Sequence, residues 1–190
     1  MNSFEINLPK CFEDGEISNY TKTASVDKWI GTNYEGYTLL QQTQKGVFGE
    51  LLVSRIMIAN GSRVCRRSSR GHDRVIDGYK TEIKFSLSTT EGIFKFNHIA
   101  CHKDWDRLIL LGVNSDEEFY MCWIKKEDFQ NNVESANNIF NRQQGGNESI
   151  NDDYIFSCKH FSKLENTGIT NKMDTWKKYG DKKIGIELFI

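Results

Sequence analysis

Asp73, Glu82 and Lys84 are the residues of this chain whose types and spacing suggest chemistry. Between them lies Asp77-Gly78, and both of these residues tolerate the positive φ of a type I′ turn, which predicts a two-residue hairpin. In that register Asp73 lies opposite Glu82, and the alternation of a strand places Lys84 on the same face. The hairpin is therefore predicted to gather two carboxylates and an ammonium in one patch.

This patch suits the hydrolysis of a phosphodiester. Like charges directly opposed on a sheet destabilise it, so Asp73 and Glu82 need a cation between them or a proton on one carboxyl. Mg²⁺ is bound by one or two carboxylates together with waters and phosphate oxygens. A lysine beside such an ion can hold or polarise a water, which is typical of metal-assisted hydrolysis. The alternative is an ordinary hairpin with a solvated charged face.

The pattern Asp73…Glu82-Ile83-Lys84 resembles the signature of the PD-(D/E)xK nuclease superfamily. His72 stands where that signature usually has a proline. The resemblance implies an α/β fold with a restriction-endonuclease-like core, in which a central mixed β-sheet is flanked by α-helices.

The segments around the motif extend the resemblance. Glu50 lies upstream in a helical pattern, where the first core helix of the family often carries an accessory glutamate. Residues 94–99, 104–106 and 108–113 are similar to segments that follow the motif in some bacterial type II restriction enzymes. The resemblance covers roughly residues 45–126.

The resemblance implies a role for each site residue. Asp73 and Glu82 would hold Mg²⁺, which Mn²⁺ may replace, and the carbonyl of Ile83 would be a further ligand. Lys84 would orient the attacking water, which displaces the 3′ oxygen and leaves a 5′ phosphate. Glu50 would complete the catalytic set as an outer ligand or as a bridge to the waters of the ion.

The expected function is that of a Mg²⁺-dependent endonuclease acting on double-stranded DNA, most like a type II site-specific restriction enzyme. Symmetric cutting of two strands usually takes two active sites, so a homodimer is expected. One alternative is a repair or junction-resolving nuclease of the same fold. Another is a catalytically silent DNA-binding module.

Length and composition predict one domain, spanning residues 1–190. Within it we expect a mainly helical extension over 1–44, a catalytic core over 45–126 and a C-terminal part over 127–190. The chain shows no membrane-length apolar run and no signal-peptide pattern at its start, so we expect a cytoplasmic protein without a membrane partner. Its five scattered cysteines, without a C-x-x-C pair, suit reduced thiols.

Candidate DNA contacts lie outside the carboxylate motif. The net charge is −1, yet residues 45–84 are locally basic, as a phosphate-cutting site requires. Arginine and serine suit phosphate oxygens, whereas amides can read adenine edges. These properties select Arg66, Arg67, Ser69 and Arg70 in a polar loop, and Gln143, Gln144 and Asn147 in a second loop. Plain solvated loops are the alternative in both places.

Apolar spacing predicts the elements that must position these residues. Helices are expected over 18–30, 33–44, 45–60 and 125–131, and strands over 63–65, 107–113, 118–124 and 154–158. Phe94, Phe96 and Ile99 are expected to pack against the sheet. If residues 98–102 were instead helical, His98 and His102 would share a face beside Cys101. A zinc site is therefore the alternative interpretation of this segment.

Overall fold

The computed structural model describes residues 6–7, 27–116, 119–135, 138–143, 153–159 and 187–188. Its strands are β1 (Ile6–Asn7), β2 (Val64–Arg66), β3 (Arg74–Ile76), β4 (Tyr79–Leu87), β5 (Phe94–Ala100), β6 (Arg107–Val113), β7 (Phe119–Lys125), β8 (Asn141–Arg142), β9 (Asp153–Cys158) and β10 (Glu187–Leu188). Its helices are α1 (Gln42–Ala59) and α2 (Lys126–Val133), with 3-10 turns at Asp27–Trp29 and Tyr37–Leu39. The long helix, the strands and the short second helix confirm the predicted elements to within about three residues at each end.

The hairpin forms in the register that its turn predicts. Asp77 has φ 51° and Gly78 has φ 86°, as a type I′ turn requires. Ile76 pairs with Tyr79, and Arg74 pairs with Thr81. The Asp77 carboxylate also accepts a hydrogen bond from the Arg63 amide at 2.8 Å, which ties the turn to the start of β2. The predicted two-residue turn is confirmed.

The central sheet is mixed, as expected. Among the described residues its order is β2-β3-β4-β6-β7, with β4 and β6 parallel and the other neighbours antiparallel. All seven residues of β6 are buried, because this apolar strand lies inside the sheet with both faces covered. The fold is therefore α/β with a mixed central sheet.

The two faces of this sheet are covered differently. On one face α1 packs through an apolar stripe that includes Phe48, Leu52 and Ile56, together with Ile109 and Leu111 of β6. The other face buries Leu108 and Leu110 of β6 against a three-stranded antiparallel sheet of order β5-β9-β8 and against α2. The expectation that helices flank the sheet is correct for the first face, whereas strands provide most of the second layer. Phe94 and Phe96 alternate along β5, and Phe156 lies opposite Phe96 on β9, so these three aromatic residues give the small sheet a buried face of its own.

The segment before α1 differs from the prediction. Residues 33–44 were expected to be helical, but the structure has turns and a single 3-10 turn over 33–39, and within this range the α-helix covers 42–44. Gly36 has φ 85°, and Leu40 and Gln41 are extended, so a continuous helix is interrupted. The side chain of Gln41 accepts a hydrogen bond from the Gln44 amide, and the side chain of Gln44 accepts one from the Gln41 amide. This capping box starts α1 at Gln42. Residues 18–26 of the other expected helix lie outside the described part.

Two further findings concern the whole described chain. No helix within it is long and apolar enough to cross a membrane. Its four cysteines are free thiols, at positions 65, 101, 122 and 158.

Candidate active site

Asp73 lies where β3 stops pairing with β4. The last paired residues are Arg74 and Thr81, and Asp73 and Glu82 adjoin them on the two strands, so the predicted pair of Asp73 and Glu82 falls just beyond the paired residues. The Asp73 amide donates to the Thr81 carbonyl at 3.0 Å, and its carboxylate Oδ2 accepts the Ile83 N–H at 2.7 Å. The side chain of Asp73 therefore caps the edge of β4 one step beyond the last backbone pair.

Glu82 is buried beside two lysines. Its Oε1 accepts a hydrogen bond from Lys84 Nζ at 2.7 Å and lies 3.6 Å from Lys103 Nζ. Its Oε2 is also buried and has no hydrogen-bond partner among the described residues. Buried carboxylate oxygens without a donor are costly, so this atom is an acceptor that the site leaves open.

The electrostatics of the patch follow from burial and from like charge. Burial raises the pKa of Asp73, and the nearby Glu82 carboxylate raises it further. The Ile83 amide and the ammonium groups of Lys84 and Lys103 act in the opposite direction on that pKa without cancelling the increase. The two carboxylates therefore repel each other in the way that their opposed positions predict.

Glu50 lies on the helix side of the sheet, apart from Glu82. Its carboxylate binds the Arg74 guanidinium at 2.5 Å, and Arg74 also donates to Ser54 of the same helix. Burial and the charge of Asp73 raise the pKa of Glu50, whereas Arg74 lowers it. Glu50 is thus within electrostatic reach of Asp73, and Arg74 stands between the helix and the strand as its ion-pair partner.

Strand alternation explains this separation. Glu82 and Lys84 pair with Leu108 and Leu110, which belong to the cluster under the small sheet, whereas Ile83 packs in the cluster under α1. The structure therefore brings Glu82 and Lys84 together near Asp73, and it places Glu50 on α1, where Glu50 pairs with Arg74.

The carboxylates of the site could hold a divalent cation, but few protein ligands are available to it. The described chain contains no group of three or more His, Cys, Asp or Glu side chains placed to hold a metal. Mg²⁺, however, commonly takes only one or two protein carboxylates and completes its shell with waters and substrate oxygens. The open Glu82 Oε2 and the raised pKa of Asp73 are features that a cation would relieve. The Ile83 N–H points toward Asp73, and the N–H and C=O of one strand residue share an edge, so its carbonyl points the same way.

The basic loop after β2 has both exposed and structural members. Arg66, Arg67 and Arg70 are exposed, as phosphate contacts require, although Arg66 is the last residue of β2 and not part of the loop as predicted. Ser69 instead places its hydroxyl 3.4 Å from the ring of His72 and 3.3 Å from the Gly71 amide.

His72, at the position of the usual proline, is almost fully buried. Its ring nitrogens lie 3.2 Å from the Ser68 amide and from the Asp104 carbonyl. His72 therefore holds the loop against the segment that follows β5, and this places Lys103, the residue before Asp104, near Glu82.

The amide-rich loop is described only at its start. Gln143 accepts a hydrogen bond from the His98 amide at 2.9 Å, and Gln144 and Asn147 lie outside the described residues. His98 lies in a strand with φ 56°, at an irregularity in the pairing of β5 with β9, and its ring is 3.3 Å from Asp153. The helical arrangement that a zinc site at His98 and His102 required is therefore wrong, because the segment is extended.

Lys103 is the member of the site that the sequence did not indicate. It follows β5 of the small sheet and reaches Glu82 because the chain returns from that sheet to the central sheet at β6. A lysine in a polar segment carries no spacing signal, so only the fold identifies it.

Comparisons with known proteins do not identify a function for this chain, so the functional proposal depends on the geometry of the site. Neither the models of protein families nor the curated proteins include a match to this chain.

Proposed function

We propose that this chain is a Mg²⁺-dependent endonuclease that hydrolyses phosphodiester bonds in double-stranded DNA, most like a type II restriction enzyme. The observation that carries the proposal is the buried and open Oε2 of Glu82, whose Oε1 binds the Lys84 ammonium and whose charge acts on the nearby Asp73 carboxylate. The resemblance of these residues to the PD-(D/E)xK motif supports the same assignment.

The side chains divide the work. Asp73 and Glu82, with the Ile83 carbonyl, would hold the cation and orient it toward the scissile phosphate. A bound Mg²⁺ or Mn²⁺ supplies charge stabilisation of the phosphate and lowers the pKa of a coordinated water. Lys84 would turn from Glu82 to orient the attacking water, whose oxygen bonds to phosphorus as the bond to the 3′ oxygen breaks, and the proton that the water loses would pass through solvent to the departing 3′ oxygen. Lys103 would remain to balance the charge of Glu82, and Glu50 would act through Arg74 and Asp73.

The proposal includes a homodimer, since each protomer supplies one site and a duplex has two strands. A repair or junction-resolving nuclease would use the same site on a different DNA shape.

The competing proposal is a DNA-binding module without activity. It is favoured by the presence of two lysines around Glu82, since Lys84 and Lys103 can balance the two carboxylates without a metal. In that case the patch would be a closed ion-pair network.

Cleavage of plasmid and of linear DNA separates the two proposals. The wild-type protein should cut with Mg²⁺ or Mn²⁺ and should not cut with Ca²⁺ or EDTA, and mapped ends should carry 5′ phosphates. Lys84→Ala should be inactive, whereas Lys125→Ala, which removes an exposed lysine from the far edge strand β7, should cut normally. Binding without cutting under all metal conditions would favour the silent module, and efficient cutting in EDTA would exclude the metal mechanism.

A further inference from the structure

An open cleft begins at the candidate active site and follows the unpaired edge of β4. The partner strand β3 covers β4 only from Tyr79 to Thr81, so the edge from Ile83 to Leu87 has no described strand beside it. The cleft has a volume of about 640 Å³ and lies between this edge, the first two turns of α1 and β5. We call it the lysine cleft, because Lys45, Lys84 and Lys95 line it.

The charge of the lysine cleft is one-sided. Its sixteen described lining residues include three lysines but no aspartate or glutamate, and the Lys84 ammonium is ion-paired with Glu82 outside the lining. The whole chain, in contrast, has 26 acidic and 25 basic residues, so the composition does not explain this distribution. Lys45 belongs to α1 and Lys95 to β5, and tertiary structure therefore brings the positive charges to opposite walls.

Gly46 supplies a second, independent feature of the cleft. A glycine inside a helix is destabilising, so its presence needs a packing or functional reason. Gly49 has a packing reason, because a Cβ there would lie 2.4 Å from the Cβ of Phe85. At Gly46 a Cβ would meet no atom of the protein within 4 Å, and this residue lines the cleft. The absent side chain therefore leaves room for something outside the protein to approach the helix backbone.

We infer that the lysine cleft binds the sugar-phosphate backbone of duplex DNA next to the scissile phosphate, with Lys45 and Lys95 on its two walls and Gly46 allowing close approach. This inference rests on the proposed function, because Ile83 and Lys84 belong both to the active site and to the cleft. Four residue rises from Ile83 to Leu87 span about 13 Å, the axial rise of roughly four base pairs. The cleft is long enough to contact more than one phosphate.

The arginines near α1 and β2 form a second candidate surface for the main DNA contact, which we call the arginine side. A separate groove of about 470 Å³ on that side is lined by Arg55, Arg66, Arg67 and Arg74 among others. Its Arg74 is paired with Glu50, as Lys84 of the lysine cleft is with Glu82, but the groove includes neither Ile83 nor Lys84. The lysine cleft is favoured because it is continuous with the proposed catalytic lysine.

Binding of a fluorescein-labelled duplex, measured by anisotropy in Ca²⁺ over a range of salt, tests this inference. Lys45→Ala and Lys95→Ala should each weaken binding to all DNA sequences to the same extent. Each should also make the plot of log K against log salt less steep by about one unit. Gly46→Gln should weaken binding without lowering the melting temperature, since glutamine is a good helix former and its Cβ meets no protein atom within 4 Å. Lys125→Ala is the matched control and should leave both the affinity and the slope unchanged.

The outcomes separate this inference from the proposed function. If the wild type cuts with Mg²⁺ but all three cleft variants bind like the control, the cleft inference is wrong and the nuclease proposal stands. A loss of slope in Arg66→Ala and Arg67→Ala alone would likewise place the DNA on the arginine side. If the cleft variants lose binding but none of the tested metals supports cleavage by the wild type, the cleft inference stands and the enzymatic proposal fails. A wild type that neither binds nor cuts DNA overturns both.

Discussion

Replacement of Asp73 by Asn and by Ala separates its proposed catalytic role from its structural one. In the structure the Asp73 carboxylate accepts the Ile83 N–H at 2.7 Å and is close enough to Glu82 for their charges to repel. Asn keeps an oxygen acceptor for the amide but removes the negative charge. Ala removes both.

The hydrogen bond sets the expected change in stability. Loss of the acceptor in Asp73→Ala leaves the Ile83 N–H without its partner at a largely buried position, which costs about 1–3 kcal/mol of unfolding free energy. For a chain of this size, that corresponds to a fall in melting temperature of roughly 2–12 °C. Asp73→Asn keeps the hydrogen bond and relieves the repulsion with Glu82, so its stability without metal should equal or exceed that of the wild type.

Both variants should lose DNA cleavage, because each removes a proposed metal ligand. Loss of an outer-shell partner of a metal site typically costs 10–100-fold, so loss of a direct ligand should cost more than about 100-fold. Cleavage rates in Mg²⁺ and duplex binding in Ca²⁺ are the two measurements, and binding by Asp73→Asn should remain close to that of the wild type.

Asp77→Asn is the matched control, because Asp77 also precedes the Glu82-Ile83-Lys84 motif. It lies at the turn, about four residue rises or roughly 13 Å along the strand from the position of Asp73. Asn-Gly suits the type I′ turn, and an amide oxygen can still accept the Arg63 N–H, so this variant should be stable and active. An inactive Asp77→Asn together with a fully active Asp73→Asn would refute the assignment of the metal ligands.

Three further outcomes are expected. Gly46→Ala should raise the unfolding free energy by about 0.5–1 kcal/mol, whereas Gly49→Ala should lower it by about 1–3 kcal/mol because its Cβ would overlap Phe85, and urea unfolding measures both. Because the pKa of Asp73 is raised on folding, the folded protein binds more protons than the unfolded chain does. Its unfolding free energy in EDTA should therefore fall as the pH rises from the ordinary aspartate pKa through the raised pKa of Asp73. The unfolding free energy of Asp73→Asn should lack this dependence on pH. If Arg66, Arg67 and Arg70 meet phosphates, each change to Ala should lower the salt slope of binding by about one unit, whereas an altered sequence preference at constant slope would indicate base reading.

The sequence alone determined the hairpin and the members of its charged patch. Turn chemistry at Asp77-Gly78 and the two-residue alternation of strands are local properties, so they set the pairing of Arg74 with Thr81 without help from the rest of the chain. The same locality identified β6, whose continuous apolar run requires burial on both faces.

The sequence was less informative where a local pattern allowed two conformations. Residues 33–44 have helix-compatible spacing, but the positive φ of Gly36 and the extended Leu40 and Gln41 delay the helix until Gln42. Residues 98–102 allowed a helix with two histidines on one face, and the pairing of β5 with β9 made the segment extended instead. In both cases contacts or caps outside the apolar pattern decided the conformation.

Only the tertiary structure decided what surrounds the patch. Lys103 reaches Glu82, Arg74 binds Glu50, and Lys45 and Lys95 line one cleft because β5 lies outside the central sheet and the start of α1 packs against β4. These residues are far apart in the chain, and their spacing carries no period that a single helix or strand would impose. Their positions follow from how the layers pack, which depends on the burial of apolar faces from many elements at once.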